Sequence, residues 1–309
     1  MRIIFFGTPD YTLPILEALH AKFNRGKTER ELVAVVTQPP KIVGKSEFKE
    51  YSAVDKFAYE HKIEVIYNPS DIGEADLGIC ASFGKIIPNE TLAKFRLGIL
   101  NVHPSPLPMF RGASPIQATL FAGFKETEIT IIKMDEQMDH GPVVARMKSE
   151  VKDDDTNETL RARLFAESVP LLISTLPAYI AGKITPKKQN ENGAVFTNIL
   201  KKTDGYIDLS DITLAMNGKT GATTSSPIIV GLDFEMDAEK IDRLVKAMDP
   251  WPGVWTRVVI EGESKILKIL KTKVVSGKLL IEQVQLEGKN PVTFKQFNEG
   301  YPQAMPGGN

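Results

Sequence analysis

The chain has 309 residues, enough for two domains or one large one. Its apolar (42%) and charged (25%) fractions are those of an ordinary folded protein, and a formal net charge of −1 gives no global electrostatic case for a nucleic-acid or membrane partner. Cys80, the single cysteine, excludes an internal disulfide framework and fits a reducing compartment. The apolar run in MRIIFFGTPD is too short for a signal peptide, and no apolar stretch reaches the length of a membrane span, so a cytoplasmic location is expected.

Arg2–Phe6 predicts a strand ended by the turn Gly7-Thr8-Pro9-Asp10, after which Leu13, Leu16 and Leu19 recur at helical spacing. Leu32–Thr37 is apolar throughout, as strands covered on both faces are. Gln38–Lys49 carries Pro39, Pro40 and Gly44 and reads as a basic loop. Val54–His61 predicts a helix, and Ile63–Tyr67 and Ala75–Ala81 predict strands, the second with Cys80 as a small core residue. Ile99–His103 and Ile129–Met134 are two further strands, and Val143–Val151 another. Strands alternating with helical segments argue for an α/β domain with a mostly parallel sheet.

Three aspartates ahead of Thr156 suit a helix N-terminus with Thr156 as its cap, and Pro170 and Pro177 are expected to kink or split the long helix that follows. Polar Gly182–Gly193 marks the domain boundary. Beyond Ala194 one clear helix, Ala238–Ala247, stands among short strand-like pieces at Trp255–Ile260, Ile266–Ile269, Lys273–Val275, Leu279–Gln285 and Val292–Phe294. Such spacing suggests a small β-barrel. Met216–Ser226 reads as a polar loop, and Trp251–Asn309 carries more Lys and Arg than Asp and Glu.

The chemistry concentrates in Gly98–Gln117, GILNVHPSPLPMFRGASPIQ. Asn101 and His103, two apart on a strand, share a face. Pro104, Pro106 and Pro108 stiffen the loop that follows, and Ser114-Pro115-Ile116-Gln117 has the form of a helix start with a capping box. An amide and an imidazole at the C-terminal end of a strand lie where open α/β sheets bind ligands. The turn after Ile129–Met134 offers Asp135, Glu136 and Asp139 as a carboxylate partner. An Asn/His/Asp set supplies an oxyanion donor, a charged imidazole and a proton acceptor. There is no Gly-x-Ser-x-Gly and no Gly-x-Gly-x-x-Gly, and no His-Glu-x-x-His or Cys pair to hold zinc. The pattern suits direct attack of a substrate amine on a carbonyl, with no metal.

The segments FFGTPDYTLPILEAL, ASFGKIIP, GILNVHPSPLPMFRGASPIQ and ITIIKMDEQMDHGPVV, followed by DGYIDLS, DPWPGVWT and IEQVQLEGKNPVTFKQFNEGY, resemble the methionyl-tRNA formyltransferases over nearly the whole chain. The Asn-x-His pattern with a later Asp-x-Gly belongs to all folate-dependent formyltransferases, whereas GTPD and VQLEGK are more specific to those acting on tRNA. The resemblance implies a Rossmann-like formyltransferase domain at 1–189, a linker at 190–210 and a smaller OB-like, tRNA-binding β-barrel domain at 211–309. It implies transfer of a formyl group from 10-formyltetrahydrofolate to the amine of methionine on charged initiator tRNA, by a monomer. Asn101, His103 and Asp139 match the catalytic trio. The folate-contacting positions are Ser105, Pro106, Leu107 and Pro108, with Phe83, Gly84, Ile86 and Ile87 in one pterin loop and Gln137, Met138, His140 and Gly141 in another. Lys41, Lys45, Lys49, Arg111, Lys268 and Lys271 are the expected tRNA contacts.

Three departures stand out. Pro106 replaces a leucine, QPPKIVGKSEFKEYS lacks the Asp and both Arg of the PDRPxGRG-like loop, and Met216–Leu232 is longer than expected. Two other functions fit the residues: an N-formyltransferase acting on an amino sugar nucleotide, with the same trio, and a folate- or RNA-binding module without turnover.

Overall fold

A computed structural model describes residues 1–23, 31–43 and 48–305. They divide into two compact units, the first comprising Met1–Arg111, Glu126–Ser149 and Arg161–Ala194, the second Gly112–Lys125, Glu150–Leu160 and Val195–Asn309.

In chain order the first part reads β1 (Arg2–Phe6), α1 (Leu13–Phe23), β2 (Glu31–Val36), β3 (Lys41–Val43), β4 (Phe48–Glu50), α2 (Ala53–Glu60), β5 (Glu64–Ile66), β6 (Leu77–Cys80), α3 (Asn89–Ala93), β7 (Ile99–His103), β8 (Arg111–Gly112), α4 (Pro115–Ala122), β9 (Glu126–Lys133), β10 (Val143–Glu150) and α5 (Asn157–Ile180). Seven strands form one sheet in the order β10-β9-β7-β6-β1-β2-β5. From β7 to β5 every neighbour is parallel, and β9 runs antiparallel to β7. The residues explain the order. Every residue of β6 is buried, as both-face coverage in the middle of a parallel sheet requires. On one face, Phe6, Phe83 and Phe95 pack their rings with centroids 5.7–5.8 Å apart, among Ile4, Val36, Ile87 and Ile99.

Three expectations change. Gln38–Lys49 is not all loop, because β3 and β4 pair antiparallel within it, Ile42 opposite Lys49. The helix from Asn157 runs unbroken through Pro170 and Pro177 to Ile180. Thr156 caps it as expected, accepting from the Thr159 amide at 3.4 Å. Pro177 cannot bond to the carbonyl four residues back, that of Ile173, and Lys22 Nζ donates to that carbonyl instead at 3.4 Å. The Ser114 capping box does not form. The Ser114 hydroxyl donates to the Asn198 carbonyl at 2.7 Å, and its φ and ψ of −130° and 47° turn it away from Gln117.

The second unit continues with β11 (Phe196–Thr197), α6 (Leu209–Met216), β12 (Thr223–Ser225), β13 (Asp233–Glu235), α7 (Ala238–Met248), β14 (Val254–Ile260), β15 (Glu263–Val275), β16 (Lys278–Leu286), β17 (Val292–Thr293) and α8 (Phe294–Gly300). Strands β14-β15-β16-β17 form an antiparallel sheet. Its inner residues, Val258, Leu267, Ile269, Ile281 and Val284 among them, are buried, as are Ile241, Leu244 and Met248 of α7, which packs against β15. The pieces expected at Ile266–Ile269 and Lys273–Val275 are one strand. Register breaks between Ile269 and Thr272 interrupt the alternation that makes a strand readable. Helices α6 and α8 add to the single helix expected, and Thr223–Ser225, inside the expected loop, is a strand paired with β13.

Candidate active site

Strand β7 delivers Asn101 and His103 to the C-terminal end of the sheet. Asn101 is in register with Cys80 of β6 on one side and Ile132 of β9 on the other. His103 is only 4% exposed. Its Nε2 lies 3.0 Å from the Phe110 carbonyl, and since a carbonyl only accepts, Nε2 carries the hydrogen and Nδ1 faces the site. Asp139 meets both residues through one oxygen. Asn101 Nδ2 donates to Asp139 Oδ1 at 3.3 Å, and His103 Nδ1 lies 3.6 Å from the same atom. The trio read from the sequence is therefore brought together from two segments, strand β7 and the turn that carries Asp139.

Asp139 sits in the left-handed region, with φ of 49°, which Asp tolerates better than most side chains. The turn around it is tightly made. Asp135 accepts from the Gln137 amide at 3.0 Å and pairs with His140 Nδ1 at 2.6 Å, so it is a turn-shaping carboxylate, while Glu136 is exposed. Gly141 admits no side chain, because a Cβ there would lie 1.9 Å from the Lys133 carbonyl oxygen.

The expected folate positions divide by burial. Ser105 and Leu107 are fully buried and Pro106 and Pro108 half-buried. The Ser105 hydroxyl donates to the Met109 carbonyl and its own carbonyl accepts from Thr130 Oγ1, both at 2.7 Å, while Leu107 O accepts from Arg146. Ser105 and Leu107 thus hold the loop in shape. In the other loop Phe83 and Ile87 are buried in the core cluster. The Phe83 carbonyl accepts from Thr8 Oγ1 at 3.3 Å and Gln38 Nε2 at 3.2 Å, tying this loop to the ends of β1 and β2. Gly84 is exposed, and Ile86 (85%) and Met138 (57%) are bare apolar side chains, while Gln137 is exposed and His140 half-buried.

Of the expected tRNA contacts, Lys41, Lys49, Lys268 and Lys271 are exposed, and Lys45 lies outside the described residues. Lys271 is 3.4 Å from Glu282. Arg111 is corrected. It is 2% exposed and its guanidinium is bound to Gln189 and Glu191, so it faces no solvent-borne partner. Gln189 and Glu191 were not legible as site residues: an amide and an acid in a polar stretch look like any linker. Cys80 is buried, and burial pushes its thiol up to about 12, which removes it as a nucleophile. Among the described residues no group of three or more His, Cys, Asp or Glu is arranged to hold a metal ion.

Residues 1–176 match the Formyl transferase family model, and residues 230–279 match that of its C-terminal domain. The chain belongs to the formyl transferase family. It is 33% identical to a methionyl-tRNA formyltransferase of Methylacidiphilum infernorum, over 97% of this chain and 95% of that one. Its fold matches a methionyl-tRNA formyltransferase from Clostridium thermocellum (19% identity, TM-score 0.56, 93% and 98% of the two chains). It matches equally a sugar 3N-formyl transferase crystallised with dTDP and 5-N-formyl-THF (16%, TM-score 0.59, 89% and 87%). Fold similarity alone therefore does not separate acceptors within the family.

Proposed function

We propose that this chain transfers the formyl group of 10-formyltetrahydrofolate to the α-amino group of methionine carried by initiator tRNA, as a cytoplasmic enzyme of translation initiation. The observation that carries the chemistry is the convergence of Asn101 Nδ2 and His103 Nδ1 on one oxygen of Asp139, in a half-enclosed site at the end of β7. In this reading the amine attacks the formyl carbon and the carbonyl oxygen becomes an oxyanion held by Asn101 and the charged His103. Donors of this kind are worth roughly 3–4 kcal/mol of barrier each. Asp139 supports the imidazolium and takes the proton released by the amine, directly or through water. The bond to N10 of the folate then breaks, and N10 receives a proton as tetrahydrofolate leaves.

The bare side chains of Ile86 and Met138 suit the apolar faces of a pterin, with Gly84 and Gln137 beside them in the chain. The choice of tRNA over a sugar nucleotide is supported by the near-full-length relatives named methionyl-tRNA formyltransferase. Exposed Lys41 and Lys49 near the short β3–β4 pair, and Lys268 and Lys271 on β15, are proposed to meet the phosphate backbone, with 211–309 as the tRNA-binding part.

The test compares charged initiator tRNA with an amino sugar nucleotide as acceptor of formyl from 10-formyltetrahydrofolate. Transfer to the tRNA alone is expected. Transfer to the sugar alone reverses the acceptor, and folate binding without transfer to either leaves a binding module.

A further inference from the structure

Behind the trio lies a second polar chain that the reaction itself does not use. The side-chain amide of Gln189 is fully engaged. Its Nε2 donates to the carbonyls of Asp139 and Gly141 at 2.8 and 2.9 Å, and its Oε1 accepts from Arg111 Nε and Nη2 at 3.2 and 2.9 Å. Carbonyls do not donate and a guanidinium does not accept, so the amide has one possible orientation. Arg111 is in turn held by both oxygens of Glu191, at 2.9 and 2.7 Å, and Glu191 Oε1 lies 3.5 Å from His140 Nε2. Arg111 directly follows Phe110, whose carbonyl orients His103. One short segment therefore fixes the imidazole by its backbone and, through Gln189, the turn that carries the carboxylate.

We propose that Gln189 is a positioning residue that holds Asp139 in its left-handed conformation and in register with His103, anchored by the Arg111–Glu191 pair. The proposal rests on the formyl-transfer reading for its catalytic consequence. Gln189 bonds to the main chain of the turn and not to the reacting groups, so its loss displaces Asp139 Oδ1 without removing a chemical function. The 3.3 and 3.6 Å distances at that oxygen leave little tolerance for displacement. A misplacement near 1 Å lowers turnover on the order of 100-fold.

The experiment compares Gln189→Met, which keeps length but removes every hydrogen bond, with Gln189→Glu, which keeps the tie to Arg111 but has no N–H to give. Each is made in the wild-type and Asp139→Asn backgrounds. For both variants kcat is expected to fall roughly 10–100-fold with KM for folate and tRNA within about twofold. In the Asp139→Asn background the same change should cost about twofold or less, because the residue acts through Asp139. A kcat within about threefold of wild type overturns the proposal, as does a loss of equal size in both backgrounds or one confined to KM. If one variant fails to fold, the other carries the comparison. A wild-type enzyme that formylates no tRNA counts against the function proposed above. Backbone amide exchange over Asp135–Gly141 then decides the positioning role by itself: faster in the variants supports it, unchanged overturns it.

Discussion

The charges around Asp139 and those on the outer face of β15 are managed in opposite ways. Around Asp139 each base lies against a carboxylate, His103 with Asp139 and Arg111 with Glu191, whose own side chain is half open to solvent. His103 and Arg111 are buried, and Arg111, Gln189 and Glu191 are linked at 2.7–3.2 Å. In the second unit Lys268, Lys271 and Lys273 lie open on β15, with Lys271 and Lys273 sharing Glu282 at 3.4 and 2.7 Å. Enclosed charges act over short distances in a medium that screens them little, so single atoms matter. Exposed ones act through their sum, weakly each and subject to salt. The chemistry should therefore fail on one substitution, and acceptor binding should erode by degrees.

The largest effect tests the enclosed half of that contrast. His103→Ala and Asp139→Asn should each lower kcat by roughly 10²–10⁴-fold, and Asn101→Ala by about 10²–10³-fold, in single-turnover formyl transfer. Residual activity above a tenth of wild type in all three would break the comparison. Next comes Gly141→Ala. The added methyl meets the Lys133 carbonyl and forces the turn to move. Overpacking of this kind costs roughly 1–3 kcal/mol, so a thermal melt should shift down by several degrees and transfer should fall with it.

Smaller changes are expected on the exposed side. Lys268→Glu and Lys271→Glu should raise KM for charged tRNA a fewfold with kcat unchanged, and should flatten its dependence on salt by about one counterion per lost phosphate contact. A wild-type KM that ignores salt would remove the exposed lysines from the binding account. The smallest effect is acid sensitivity. The hydrogen bond from Arg111 holds the Glu191 carboxyl below the usual carboxylate range. That contribution is complete above the unfolded value of about 4.3 and is lost as pH falls through the depressed folded value. Asp76, lowered by the Arg2 amide and then by Arg96, behaves alike. Melting temperature should hold from neutral pH down to about pH 5 and decline below about pH 4, and Glu191→Gln should reduce that decline.

The sequence carries the site wherever the geometry is local. Asn101 and His103 share a face because a strand alternates, and Asp139 stands in the turn after the neighbouring strand. The two ends of the Gln189–Asp139 bond lie 50 residues apart, and a linker glutamine gives no sign of its partner. Arg111 misled because an arginine beside a glycine in a proline-rich loop looks solvent-facing, whereas its partners come from 78 and 80 residues away. Pro170 and Pro177 misled for a related reason. Breaking propensity is local, but tertiary packing decides whether a helix continues, and Lys22 answers the carbonyl that Pro177 leaves open. The residues of the C-terminal sheet were legible by alternation except where the bulged register of β15 erased it.

The buried thiol of Cys80 has a practical consequence. It lies in the centre of the sheet, in register with Asn101, and no other cysteine exists in the chain. Closed, the protein hides this sulfur from alkylating reagents; open, it reacts at a rate set by an ordinary thiol. A single labelling time course therefore serves as an internal stopwatch for separation of β6 from its neighbours, read beside Asn101 and without any engineered probe.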